Sequence, residues 1–263
     1  MPFLRLIRQT LIGSLDTLWR FIPMAGIFVI SLLALAVFVS ALGPVNAQQP
    51  PIFQAGAQQG VHGQESFLLI LDSSDSMSEP LGNGQSKMAA AKRVILETMQ
   101  KIPQEVPVGL RVYGDSTYNA CRATRMLVPI APNNRYQISA QMTKIRPTGM
   151  TPISYALTTA VREDFNMLNG KRNIILVSDG METCDRDPCD LAVSMVQNGV
   201  DVKINVIGYG LREVEGIRQL KCAALATKGK FYNVDTSAQL GQSLDQILGA
   251  KKDVQAKIYI PRN

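Results

Sequence analysis

The chain has a single histidine, His62, and it sits in a Gln-, Gly- and Pro-rich stretch, QQPPIFQAGAQQGVHGQE, that shows little apolar periodicity. A histidine-based catalytic triad or a histidine-rich zinc site is therefore excluded for any folded domain beyond it. The sequence also has no dense Lys/Arg patch interleaved with aromatic residues, so nucleic acid is not an expected partner. No CxxC pair occurs: the four cysteines are Cys121, Cys184, Cys189 and Cys222, and the Cys184–Cys189 spacing is neither a zinc knuckle nor a redox motif.

One segment carries almost no charge. Phe21 to Leu42 is an apolar run preceded by Arg5, Arg8 and Arg20 and followed by Val45-Asn46-Ala47. This is the pattern of an export signal with a small-residue cleavage site after Ala47. The run is also long enough to span a bilayer as an uncleaved anchor. Either way the remainder is expected outside the cytoplasm: periplasmic, extracellular, or tethered to the membrane through residues 21–42. Cleavage would lower the formal net charge from +6 to about +4, a mild value. An even cysteine count in an exported chain favours two disulfides. Three pairings are open. A local Cys184–Cys189 loop would leave Cys121 with Cys222.

The expected organisation is a signal or anchor over 1–47, a linker over 48–65, a folded domain over 66–248 and a tail over 249–263. Within the domain, strands and helices alternate. SFLLILD (66–72) reads as a strand buried on both faces. Met88, Ala91, Ile95 and Met99 then recur at helical spacing, with the three methionines at 88, 99 and 142 expected in the core. Further strands are expected at 106–113, 125–130, 173–177, 202–209 and 230–234. Helices are expected at 136–145, 154–163, 191–198, 214–227 and 237–248, and 254–260 is either an added strand or a free tail. This order specifies an open, doubly wound, mostly parallel α/β sheet with helices on both faces.

Chemistry concentrates where strands end. Asp72, Ser74 and Ser76 alternate immediately after the first strand, Thr151 precedes a helix, and Asp179 follows the most continuous strand signal in the chain. Each has an ordinary structural explanation. Asp and Ser form turns, Thr151-Pro152 is a good N-cap and N1 pair, and Asp179-Gly180 is a common turn dipeptide. In a parallel sheet, however, all five are gathered at one edge. Oxygen donors without sulfur or imidazole suit a hard cation, and two neutral hydroxyls in the first cluster leave much of its charge uncancelled.

In these residues, DxSxS followed by a Thr and then an Asp, the chain resembles the von Willebrand factor type A domain with its metal-ion-dependent adhesion site. SDGMETCDRDPC and GMTP are similar to an exported bacterial branch of that family. The resemblance implies a Rossmann-like fold over about 66–248. It implies Ser74, Ser76 and Thr151 as direct ligands through their hydroxyls, with Asp72 and Asp179 acting largely through ordered waters. The implied cation is Mg²⁺, with Mn²⁺ or Ca²⁺ as alternatives, and the implied partner is a protein presenting an Asp or Glu carboxylate. Such a module is a binding protein and not an enzyme. Two other classes are weighed against it: a metal-free structural domain of an envelope assembly, and a Mg²⁺-dependent phosphoryl-transfer enzyme with Asp72 as nucleophile. The second lacks the further acid two residues on, where position 74 is Ser.

Overall fold

A computed structural model of the chain describes residues 64–82, 84–184 and 186–249. The expected signal or anchor, most of the linker and all of the tail beyond Gly249 lie outside the described residues. Among the described residues no helix is long and apolar enough to cross a membrane.

The core is a six-stranded sheet. Its strands are β1 (Glu65–Asp72), β2 (Val108–Tyr113), β3 (Thr124–Ala131), β4 (Lys171–Ser178), β5 (Lys203–Tyr209) and β6 (Phe231–Val234). They lie in the order β3-β2-β1-β4-β5-β6. All neighbours are parallel except β2 and β3, so the one antiparallel strand closes an edge. β1 is central because its sequence is apolar on both sides: Leu68 and Ile70 enter one core, and Phe67, Leu69 and Leu71 the other. Successive side chains on a strand point to opposite faces, so a continuous apolar run requires cover on both.

The cover comes from six helices. α1 (Lys87–Lys101), α2 (Arg135–Met142) and α6 (Ser237–Leu248) pack on one face. α3 (Ile153–Thr159), α4 (Pro188–Gln197) and α5 (Val214–Ala226) pack on the other. α1 starts where Ser86 accepts a hydrogen bond from Ala89 N at 3.2 Å. It buries Met88, Ala91, Ile95 and Met99, the stripe that the periodicity predicts, and Met142 of α2 joins the same core. α6 carries a Thr236/Gln239 capping box and stops at Gly249, whose positive φ of 66° suits glycine.

Two expectations are corrected. The helix predicted over 154–163 is α-helical only to Thr159; Ala160–Asp164 widens into a π-helical turn. That turn carries Asp164, which takes two hydrogen bonds from the Arg111 guanidinium of β2, at 2.5 and 2.6 Å. Both side chains are 3% exposed, so the pair is a buried ion pair that local periodicity could not reveal. The second correction concerns the cysteines. The structure joins Cys121 to Cys184 and Cys189 to Cys222, with Cα separations of 5.4 and 5.2 Å. The local Cys184–Cys189 loop does not form, because Cys189 already belongs to the first turn of α4 and faces α5 instead of the preceding loop.

Candidate metal centre

β1 ends at Asp72 and β4 ends at Ser178, on either side of the point where the chain reverses its direction across the sheet. Loops leaving the carboxyl ends of parallel strands at such a point border a crevice. Asp72 lies at its base and is fully buried. Its Oδ1 accepts a hydrogen bond from Ser74 N at 2.8 Å. Its Oδ2 accepts from the Tyr113 hydroxyl at 2.8 Å and from Ser178 Oγ at 2.7 Å. Tyr113 stands opposite Asp72 in the β1–β2 register, so neighbouring strands on both sides orient this carboxylate.

Above it the hydroxyls form a chain. Ser74 Oγ lies 3.1 Å from Ser76 Oγ, and Ser76 Oγ donates to Asp179 Oδ1 at 2.7 Å. Asp179 is therefore adjacent to the DxSxS segment, though it stands 103 residues away in sequence. Its other oxygen, Oδ2, accepts from Lys87 Nζ at 2.8 Å, and the same ammonium reaches Glu79 Oε2 at 2.7 Å. Lys87 is the first residue of α1.

Thr151 arrives on a third loop, which is stitched to the first by main-chain bonds. Asp75 N donates to Gly149 O at 3.0 Å, Thr148 N to Ser73 O at 3.1 Å and Gly149 N to Gly114 O at 2.8 Å. The loops meet so closely at Gly114, which has a φ of 72°, that a Cβ there would lie 2.8 Å from Ser74 N and 2.5 Å from Met150 O. The ordinary structural explanation of Thr151, a cap on the following helix, does not hold. The helix begins at Ile153, Pro152 occupies the N-cap position, and Glu182 supplies the cap by accepting from Ser154 N at 2.7 Å. Thr151 Oγ1 is thereby left without a hydrogen bond among the described residues. A Cβ on Gly180 would lie 3.9 Å from Ser76 Oγ and 4.0 Å from Thr151 Oγ1, which puts those hydroxyls around one small space that glycine keeps open.

The electrostatics of the cluster follow from burial. Asp72 is pushed up to about 6, first by burial and then by the charge of Asp179, against the hydrogen bonds from Ser74 and Ser178 that favour its ionised form. The Tyr113 hydroxyl is raised well above its ordinary range, mainly by burial and by Asp72 beside it. Burial would lower Lys87, but its hydrogen bonds to Asp179 and Glu79 outweigh that and hold it above its usual value. Two carboxylates within one hydroxyl network thus demand positive charge, and Lys87 supplies some of it.

All five residues read from the sequence, Asp72, Ser74, Ser76, Thr151 and Asp179, lie at this edge. Their donor set of carboxylate and hydroxyl oxygens fits a hard divalent cation. No group of three or more His, Cys, Asp or Glu side chains placed to hold a metal ion occurs among the described residues; hydroxyls here stand where carboxylates would otherwise be. The sequence reading missed Tyr113, Ser178, Lys87, Glu79 and Glu182. Of these only Ser178, directly before Asp179, carried a local signal.

Comparison with known proteins agrees with this architecture. The sequence model described as von Willebrand factor type A domain matches residues 68–246. A Bacillus subtilis relative named uncharacterized protein YwmD is 27% identical over 187 residues, spanning 68% of this chain and 82% of its own. An aerotolerance-related membrane protein from Bacteroides fragilis has a similar fold, with a TM-score of 0.53 and 20% identity over 71% of this chain and 99% of its own. Proximal thread matrix protein 1 from the mussel byssus, solved with a zinc-occupied MIDAS motif, shares the fold at a TM-score of 0.55 and 16% identity, covering 71% of this chain and 45% of its own. A match over most of the folded unit, joined to a six-stranded sheet of this order, makes the chain a member of the von Willebrand factor type A domain family.

Proposed function

We propose that this protein is a divalent-cation-dependent protein-binding module whose metal centre takes a carboxylate from its partner. The observation that carries the reading is the meeting of three loops at one sheet edge: Ser74 and Ser76 from the first, Thr151 from the second and Asp179 from the third. Ser74, Ser76 and Thr151 would hold the ion through their hydroxyls, and Asp72 and Asp179 would orient those ligands. Mg²⁺ suits the oxygen donors best, with Mn²⁺ or Ca²⁺ as alternatives. When bound, the ion supplies an electrophilic position for an Asp or Glu of the partner.

A binding role accords better with Asp72 than nucleophilic catalysis does. Its carboxylate is fully buried, and both oxygens are engaged by Ser74, Tyr113 and Ser178. A location outside the cytoplasm, periplasmic, extracellular or membrane-tethered, is supported by the two disulfides and by the membrane protein of similar fold.

The test is thermal unfolding of the full-length chain in neutral detergent with a chelator and with added Mg²⁺ or Mn²⁺. Ion binding to the native state at a hundredfold excess over Kd stabilises by about 2.7 kcal/mol. The midpoint should rise in the wild type and stay fixed in Asp72→Ala and Thr151→Ala. A wild-type midpoint indifferent to both ions would overturn the reading, and unchanged co-purification of a partner in chelator would overturn its carboxylate clause.

A further inference from the structure

Beside the metal centre lies a cleft of about 350 Å³ that the proposed site does not use. Arg122, Arg162 and Arg186 line it, arriving from the turn before β3, the π-helical turn after α3 and the loop before α4. None of the three guanidiniums has a hydrogen bond or ion pair among the described residues. Other exposed arginines are engaged: Arg125 with Asp115, Arg212 with Asp235, Arg218 with Asp187 and Glu215, and Arg146 with the main-chain oxygens of Thr143 and Ile145. Among the described residues, the carboxylate that lines the cleft is Glu182, which already accepts from Ser154 N and Cys184 N, and burial raises its pKa.

The cleft is also rigidly placed. The Cys121–Cys184 disulfide is part of its wall and ties the β3-side turn to the loop after β4. Thr183, between two lining residues, accepts a hydrogen bond from Thr151 N at 2.9 Å. The cleft therefore adjoins the metal centre through a direct contact with one of its proposed ligands.

We propose that this cleft is a second anchor for the same partner, receiving an Asp or Glu side chain separated along the partner's chain from the carboxylate at the metal; this rests on the metal-dependent reading above. Guanidinium forks match carboxylates in geometry and charge. Glu182 leaves the cleft only moderately positive, which favours singly charged carboxylates spaced along a peptide over a densely sulfated or phosphorylated polymer. The half-exposed ring of Tyr155 offers apolar surface to the stem of the acidic side chain.

The experiment titrates the full-length chain in neutral detergent with a short synthetic peptide bearing two glutamates, and with analogues in which one glutamate is replaced by glutamine or the spacing is changed. In chelator, wild type should bind the two-glutamate peptide weakly and in a salt-dependent manner. The Arg122→Gln, Arg162→Gln, Arg186→Gln triple variant should lose on the order of tenfold in affinity, with an unchanged unfolding midpoint. In Mg²⁺, the second glutamate should add on the order of tenfold in wild type and nothing in the triple variant. Equal affinities of wild type and triple variant in chelator, or the absence of binding there, would overturn the second anchor. A sulfated oligosaccharide that binds more tightly than the peptide through the same arginines would overturn its assignment to an acidic peptide. Arginine-dependent binding that Mg²⁺ fails to strengthen would leave the anchor standing and overturn the metal reading alone.

Discussion

Lys87 Nζ donates to Asp179 Oδ2 at 2.8 Å, so the carboxylate proposed to orient the metal's ligands is held by a cation from the chain itself. The Asp179 side chain is wholly buried and that of Lys87 only 12% exposed, so the pair is poorly screened. Lys87 thus offsets the buried charge of Asp179 and, on the proposed reading, would compete with an arriving ion. Lys87→Met should lower the unfolding free energy in chelator, by on the order of 2 kcal/mol, because it leaves Asp179 with less compensation. It should also increase the stabilisation gained on adding Mg²⁺. Thermal melts across a Mg²⁺ series measure both, and a variant with weakened Mg²⁺ response would show that Lys87 supports the ion.

The pKa of Asp72 sets a pH dependence with a definite sign. Its folded value of about 6 lies above the unfolded 3.8, so the native state binds more protons between the two. The contribution to stability is fully present below pH 3.8 and is lost as pH rises through about 6. The proposed metal binding would have the opposite dependence, since an ionised Asp72 favours a cation. The Mg²⁺-induced shift in midpoint should therefore be small at pH 5 and reach its full value above pH 7, as Asp72 ionises with a pKa of about 6. An identical shift at both would exclude Asp72 from the electrostatics of the site.

Thr151 and Glu182 should separate cleanly. Thr151 Oγ1 makes no hydrogen bond among the described residues, so Thr151→Ala should change stability in chelator little while abolishing the Mg²⁺ response. Glu182 caps α3 through Ser154 N, so Glu182→Ala should cost about 1 kcal/mol in chelator and retain the response. Reversed outcomes would mean that Glu182, and not Thr151, serves the ion.

The Arg111–Asp164 pair lies outside the metal centre. Asp164→Asn leaves a buried guanidinium without its counter-charge and should destabilise the fold by about 3–5 kcal/mol, equally with and without Mg²⁺. Urea unfolding in both conditions measures it, and a metal-dependent difference would show that the π-helical turn communicates with the site.

Local pattern made much of this protein legible. The run from Phe67 to Leu71 marks the central strand, the Met88/Ala91/Ile95/Met99 stripe marks α1, and DxSxS at a strand end marks the crevice. These signals are short-range, because side-chain period and strand-end chemistry are written within a few residues. The cap of α3 illustrates the limit. Thr151-Pro152 has the local form of a cap, yet the acceptor is Glu182, 28 residues further on from Ser154. The packing of the loop after β4 brings that acceptor in, which leaves Thr151 Oγ1 without a hydrogen bond among the described residues.

By itself the sequence determined the alternation of strands and helices, the two-faced burial of β1 and the identity of five oxygen-bearing residues at strand and helix ends. Tertiary structure alone decided that Tyr113 and Ser178 clamp Asp72, that Lys87 stands against Asp179, and that Cys121 pairs with Cys184 and Cys189 with Cys222. The physical reason is range. Propensity and periodicity act over a turn of helix or a few strand residues, whereas hydrogen bonds, ion pairs and disulfides join whatever the strand order brings within a few ångströms.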